Sequence, residues 1–118
     1  MRERIAEATP FQRFVLLGVL ELDGDGETPA YSFDVYDLLE ERVDDLAGDR
    51  IVGVTRSDVI ETLSVLEAEG LLDEERPDDA SPTGKGRPTY VPAVDRAEAL
   101  DVLGGDEMLA PVVATLRE

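Results

Sequence analysis

Basic side chains are scarce in this chain, so the places where they occur together are informative. Asp and Glu total 28 against 11 Lys and Arg, which gives a formal net charge of -17 at pH 7. Between Asp79 and Asp95 the only charged residues are Lys85 and Arg87, which flank Gly86. Glycine lets a backbone come close to a ligand, and two neighbouring cations suit phosphate groups or a narrow minor groove. This spacing predicts contact with a nucleic-acid backbone.

A second group of polar residues begins the helix predicted over residues 55–69. Thr55 is its expected N-cap, and Asp58 three residues later imitates a capping box. Arg56 suits a guanine edge or a phosphate, Ser57 could donate to either, and Glu61 could accept from a cytosine amino group. The same side chains would also suit the solvent face of a scaffold helix. The residues that we expect to bind DNA are Thr55, Arg56, Ser57, Glu61, Lys85, Gly86 and Arg87.

Apolar periodicity and helix-end signals predict the elements that position these residues. Helices are expected over 10–22, 32–47 and 55–69, a hairpin over 71–91, and a helical segment over 95–117. Ser32 is the expected N-cap of the second helix, and Gly70 the residue that ends the third. The short apolar run at 51–54 is interpreted as a turn or small strand.

The order of these elements predicts the fold class. It is mainly α with a small β-hairpin (α+β): a winged helix-turn-helix with N- and C-terminal helical extensions, in one domain over residues 1–118. In the third helix Val59, Leu63 and Leu66 form the expected inward stripe, and Ile60 is placed beside it.

Two sequence motifs carry a resemblance to a known family. LEAEGLL at the end of the third helix and GKGRPTY in the hairpin resemble the PadR-like winged-helix transcription regulators. The likeness covers roughly residues 11 to 100, and its specific part is 55–91. Among halophile proteins, the whole chain is similar to haloarchaeal regulators of the response to reactive oxygen species. The resemblance implies DNA contact by the hairpin tip and dimerisation through C-terminal helices packed against the N-terminal helix.

Apolar residues of the last helical segment have two interpretations. Met108, Leu109, Val112, Val113 and Leu116 could complete the core of the protomer, or they could form a two-fold interface. The expected dimer interface combines these five residues with Phe11, Phe14 and Leu100.

Composition excludes several classes of chemistry. The chain has no Cys and no His, so disulfides, thiol redox chemistry, Cys/His zinc sites and histidine catalysis are excluded. GKGRP lacks the spacing of a phosphate-binding P-loop, and no enzyme activity is expected. Asp23, Asp25 and Glu27 have EF-hand spacing, but Thr28 and Asp34 occupy positions that require Gly and Glu. We therefore expect no cofactor and no specific metal, only loose association with K⁺ and other hydrated cations.

The evenly spread acidity and the single lysine are typical of proteins from salt-in halophiles, where salt screens self-repulsion. No apolar run approaches the roughly 18 residues of a membrane span, and no signal peptide is evident, so a cytoplasmic location is expected. Two functions remain open. The first is a homodimeric, sequence-specific DNA-binding transcription regulator adapted to high salt and controlling an oxidative stress response. The second is a winged-helix protein–protein interaction module of the transcription machinery.

Overall fold

The computed structural model describes residues 2–48, 51, 53–75 and 88–117. Within these ranges the helices are α1 Arg2–Glu7, α2 Pro10–Gly24, α3 Ser32–Arg42, α4 Arg56–Ala68, α5 Arg96–Gly104 and α6 Ala110–Leu116. The strands are β1 Ala30–Tyr31, β2 Leu72–Glu75 and β3 Thr89–Pro92. The predicted mainly helical class with a small hairpin is confirmed, with one further strand. No helix in the described ranges is both long and apolar enough to cross a membrane.

Helix α2 is the centre of the fold, and its start follows from its sequence. The Thr9 hydroxyl accepts from the Gln12 N–H at 3.2 Å, and the Gln12 side chain accepts from the Thr9 N–H at 3.0 Å. Pro10 fits the first helical position, where no N–H is needed. Every residue from 14 to 22 is buried, so other elements cover this helix on all sides. It continues two residues past the predicted end at 22, to Gly24.

The second helix is shorter than predicted and begins differently. Helix α3 ends at Arg42, and a 3₁₀ turn over Val43–Asp45 replaces the rest of the predicted span 32–47. Ser32 is the first helical residue and not the N-cap. The cap position is Tyr31, whose N–H donates to the Asp34 carboxylate at 3.1 Å. The Asp34 carboxylate, at the third helical position, therefore accepts a hydrogen bond at the helix start, where Ser32 was the expected cap.

Helix α4 is bounded as its end signals indicate. The Thr55 hydroxyl accepts from the Asp58 N–H at 3.2 Å. At the other end Gly70 has φ +80°, a conformation that costs glycine little. The N–H of Leu71 then donates to the Leu66 carbonyl at 2.9 Å, and both side chains are buried. With this geometry the backbone passes from the end of α4 directly into β2.

The sheet contains a third strand, β1, that lies outside the predicted elements. Its order is β1-β3-β2, all antiparallel, with Ala30 opposite Tyr90 and Glu75 opposite Thr89. Residues 51, 53 and 54 are not in a strand, so of the two interpretations of the run at 51–54 the small strand is wrong at these residues. Two residues are too few to show the alternation typical of a strand, so the sequence does not predict β1. The strand forms because the free edge of β3 offers it backbone hydrogen bonds.

The chain begins with a helix that the periodic pattern did not reveal. Helix α1 has a single buried residue, Ile5, and six residues are too few to show a 3.6-residue period. It packs against α5, where Arg2 donates to Asp101 at 2.7 Å. This contact lowers the pKa of the Asp101 carboxyl. Arg4 also donates to the Glu69 carbonyl, which ties α1 to the end of α4.

One buried ion pair fixes α3 to α2. The Glu21 side chain is 7% exposed, and Arg42 donates to it through Nη2 at 2.7 Å and through Nε at 3.0 Å. These hydrogen bonds raise the pKa of the Arg42 guanidinium. A carboxylate buried on a central helix is tolerated because this bidentate partner satisfies it.

Replacing Arg42 with Ala should lower the free energy of unfolding by about 2 kcal/mol, because Glu21 would be left buried without its cation. Denaturant titration at fixed high KCl measures this loss. Arg2→Ala is the matched control, since it removes a solvent-exposed ion pair and should cost far less. Equal losses in the two variants would contradict the role given to the buried pair.

Candidate nucleic-acid interface

Helix α4 lies against α2, α3 and β2 and turns one face outward. Val59, Leu63 and Leu66 are buried, as predicted for the inward stripe, and Thr62 is buried with them. The outward face consists of exposed side chains at helical spacing. They are Arg56, Ser57, Ile60, Glu61 and Ser64. Three of the residues expected to bind DNA, Arg56, Ser57 and Glu61, are therefore accessible on one face, and Thr55 is exposed at its start.

An aromatic ring on α3 holds the guanidinium of Arg56. The Arg56 Cζ atom lies 5.4 Å from the centroid of the Tyr36 ring, within the range of a cation–π contact. Interaction with the Glu40 carboxylate is the main cause that raises the pKa of Tyr36, against the opposing influence of Arg56. The Arg56 head group is thus oriented by the fold before any ligand binds.

Ile60 lies where sequence analysis did not place it. Its side chain is 51% exposed, so its assignment beside the inward stripe is wrong. Ile60 follows Arg56 by four residues and therefore shares its face of the helix, but this spacing alone does not show which face other elements cover. Ile60 borders a shallow depression of about 110 Å³. The depression is lined by Ser32, Phe33, Tyr36, Arg56 and Ile60.

The β2–β3 hairpin stands beside α4, and its described part is acidic. Asp73, Glu74 and Glu75 of β2 are exposed. At the end of β2 the Thr89 hydroxyl donates to the Glu75 carbonyl at 2.7 Å. Lys85, Gly86 and Arg87 lie outside the described residues, so their assignment as DNA contacts stays a prediction. Any positive charge that this hairpin presents must come from the residues between β2 and β3, because the charged residues of β2 are all acidic and β3 has none.

Most of the predicted interface residues belong to the core of the protomer. Those that the protomer itself buries are Phe14, Leu100, Met108, Leu109, Val112 and Val113. Phe11 and Leu116 are partly buried at the edge of the same core. Packing within the protomer accounts for the burial of these six side chains. Of the predicted interface residues, Phe11 and Leu116 stay partly accessible for a two-fold contact.

A separate cleft of about 670 Å³ opens where α2, α6 and the start of α5 meet. It is lined in part by the Glu21–Arg42 pair and by Arg96, which donates to the Leu20 carbonyl. A Cβ at Gly24 would lie 2.6 Å from the Arg96 guanidinium, so a larger residue there would require this side chain to shift. Both arginines are therefore engaged by the protein itself.

The acidic turn after α2 does not form a ligand cage in the described structure. Asp23 is still within α2, and its carboxylate accepts from the Thr28 hydroxyl at 2.8 Å. Across residues 2–48, 51, 53–75 and 88–117, no group of three or more acidic side chains is placed to hold a metal ion.

The order α2-β1-α3-α4-β2-β3, with the sheet order β1-β3-β2, defines a winged helix, which confirms the predicted fold. The structure is similar to the solved structure of the Aeropyrum pernix Orc1 protein in complex with DNA. The TM-score is 0.78 at 21% sequence identity, over 94% of this chain and 28% of that one. The chain thus spans just over a quarter of that protein's length. No family model and no curated protein sequence matches this chain.

The Tyr36–Glu40 contact can be tested by titration. Glu40→Gln should lower the pKa of Tyr36 toward its ordinary value, because it removes a nearby negative charge that disfavours the phenolate. Tyrosinate absorbance against pH, compared with Tyr36→Phe to assign the transition, measures the change. Glu41→Gln is the control, because Glu41 is not among the groups that shift Tyr36. An unchanged titration in Glu40→Gln would show that the contact does not persist in solution.

Proposed function

We propose that this protein is a homodimeric, sequence-specific transcription regulator that binds double-stranded DNA. In this proposal α4 enters the major groove, and the loop joining β2 to β3 contacts the phosphate backbone or minor groove. The observation that carries the proposal is the outward face of α4, where Arg56 is held over Tyr36 in a winged-helix frame. The fold likeness to a protein solved in complex with DNA supports it.

Each exposed residue at the start of α4 has a role in this proposal. The Arg56 guanidinium presents two parallel N–H groups to guanine O6 and N7 or to a phosphate. Ser57, in the first turn, donates to a phosphate oxygen or base edge, and the start of the helix adds a positive dipole end. Glu61 accepts from a cytosine amino group, and its charge disfavours phosphate in its place. The face therefore combines one attractive cation with one discriminating acid.

Dimerisation is part of the proposal because it sets the geometry of the operator. Phe11 and Leu116 are the predicted interface residues that the protomer leaves partly accessible. A two-fold axis between two protomers would place their α4 helices on half-sites about one DNA turn apart. The bound sequence would then be nearly palindromic.

The setting of this activity is proposed from the charge, the composition and the resemblance of the LEAEGLL and GKGRPTY motifs to PadR-like regulators. We propose a non-enzymatic regulator that acts in the cytoplasm of a halophile, belongs with the PadR-like group, and controls an oxidative stress response. A chain without cysteine cannot sense oxidants through a thiol switch, so the signal must reach it by another route. The proposed requirement for ions is limited to K⁺ and other hydrated cations at the acidic surface.

A second candidate is a protein-interaction module of the transcription machinery. The net charge of -17 would suit a basic protein partner. The exposed side chains of Phe33 and Ile60 offer apolar contact area. The two candidates differ in their dependence on Arg56, Lys85 and Arg87, which DNA binding requires and the interaction module does not.

Recovery of genomic DNA crosslinked to the tagged protein in its native host separates them. Discrete sites with a near-palindromic motif are expected. They should disappear in Lys85→Ala/Arg87→Ala, and Arg56→Ala should bind the recovered sites about tenfold or more weakly. Arg117→Ala, which removes an exposed cation at the end of α6, is the matched control and should keep wild-type sites. Absence of discrete sites, or sites unaffected by the substitutions, would favour the interaction module.

The acidity of the chain predicts an unusual salt dependence. Between Phe14 and Asp49 there are 11 acids and one Arg, so cations must accompany this surface near phosphates. Ordinary counterion release makes affinity fall as salt rises. Here we expect uptake of cations to flatten or reverse that slope, measured by fluorescence anisotropy from low to molar KCl. A steep ordinary fall, with circular dichroism showing an intact fold throughout, would contradict this mechanism.

A further inference from the structure

The proposed DNA-binding face of α4 contains an apolar patch that no phosphate contact explains. Ile60 and Phe33 are the large apolar side chains that the described residues leave exposed, at 51% and 41%. Ile60 has no role in the core, since the buried face of α4 is formed by Val59, Leu63 and Leu66. An exposed isoleucine one turn after Arg56 therefore needs another explanation.

The walls of this patch are fixed by contacts within the protein. The Phe33 ring stacks on Tyr31 with centroids 5.1 Å apart and planes inclined by 7°. Tyr36, on the next turn of α3, lies beneath the Arg56 guanidinium. Ordered aromatic walls lose little conformational freedom on binding. The depression is thus shaped in advance for a small apolar group.

We infer that Ile60 and Phe33 contact the 5-methyl group of a thymine in the major groove. This inference rests on the proposed DNA-binding function and makes Ile60 a specificity-determining residue within it. The thymine methyl is the apolar group that base pairs present in that groove. Side chains one helical turn apart are about 5–6 Å from each other, and successive base pairs are about 3.4 Å apart. Ile60 and Arg56 would therefore reach bases one or two steps apart.

The charge of the patch favours DNA over a protein as its occupant. Among the residues lining the depression, Arg56 carries the single charge, which is positive. A basic protein partner, which the overall charge of -17 would attract, would meet repulsion here. A DNA groove offers the opposite combination, a negative potential beside an apolar methyl group. The charge at the patch is thus positive, opposite to the net charge of the protein, and it is complementary to the negative potential of the groove.

The test uses duplexes selected by the protein from a randomised DNA pool at high KCl. Each thymine of the selected sequence is replaced in turn by deoxyuridine, which lacks only the 5-methyl group. We expect affinity to fall about fourfold at one thymine position, the loss that corresponds to one buried methyl group. We expect Ile60→Ala to bind the thymine and uracil duplexes equally. Alanine is a strong helix former, so this variant should keep the fold.

Thr115→Ala is the control, because Thr115 is exposed on α6, outside both the patch and the proposed DNA-binding face of α4. This variant should keep the wild-type preference for thymine. If the wild type binds every uracil duplex as tightly as its thymine counterpart, the inference is overturned while the proposed function stands. Preference for thymine retained in Ile60→Ala would equally overturn it. If no duplex is enriched at all, the proposed function fails and this inference fails with it.

Discussion

The burial of α2 on all sides is the constraint on which the rest of the structure depends. Because residues 14–22 are all buried, this helix needs cover from every direction, and α3, α4, β3 and α5 provide it. A Cβ at Gly18 would lie 2.8 Å from a Leu39 methyl group, so glycine allows α3 to pack closely there. The Glu21–Arg42 pair then fixes the end of α3. The placement of α4 and its outward face follows from this packing.

The second constraint is electrostatic, and it concerns how an acidic protein can present a surface to DNA. Arg56 is the single basic residue of α4, and the strand beside that helix carries only acids. Because the protein has few cations, the position of each guanidinium matters more for a DNA-binding surface than the total number of cations does. The Tyr36 ring holds Arg56 by a contact that does not require an acid beside it. This arrangement orients the cation without neutralising it.

The structure also separates the apolar residues that stabilise the protomer from those that face outward. The apolar side chains of α5 and α6 that suggested a two-fold interface largely complete the core. In contrast, Phe33 and Ile60, which share the periodicity of core residues, lie at the surface between α3 and α4. Sequence periodicity marks a residue as apolar and helical. It does not say which of two adjacent helix faces is covered, because that depends on the crossing of α3 and α4.

The sequence by itself determined the helices with strong end signals, the hairpin, and the winged-helix order. Thr9, Thr55 and Gly70 act locally, through hydrogen bonds or backbone conformation within a few residues, so their effect can be recognised without a fold. Only the tertiary structure decided the rest. The strand β1 exists because β3 offers an edge, and α1 exists because α5 gives Ile5 a surface to bury. Ile60 is exposed because the elements that pack on α4 cover the face formed by Val59, Leu63 and Leu66. Each of these outcomes depends on contacts between residues distant in the chain, which no local pattern encodes.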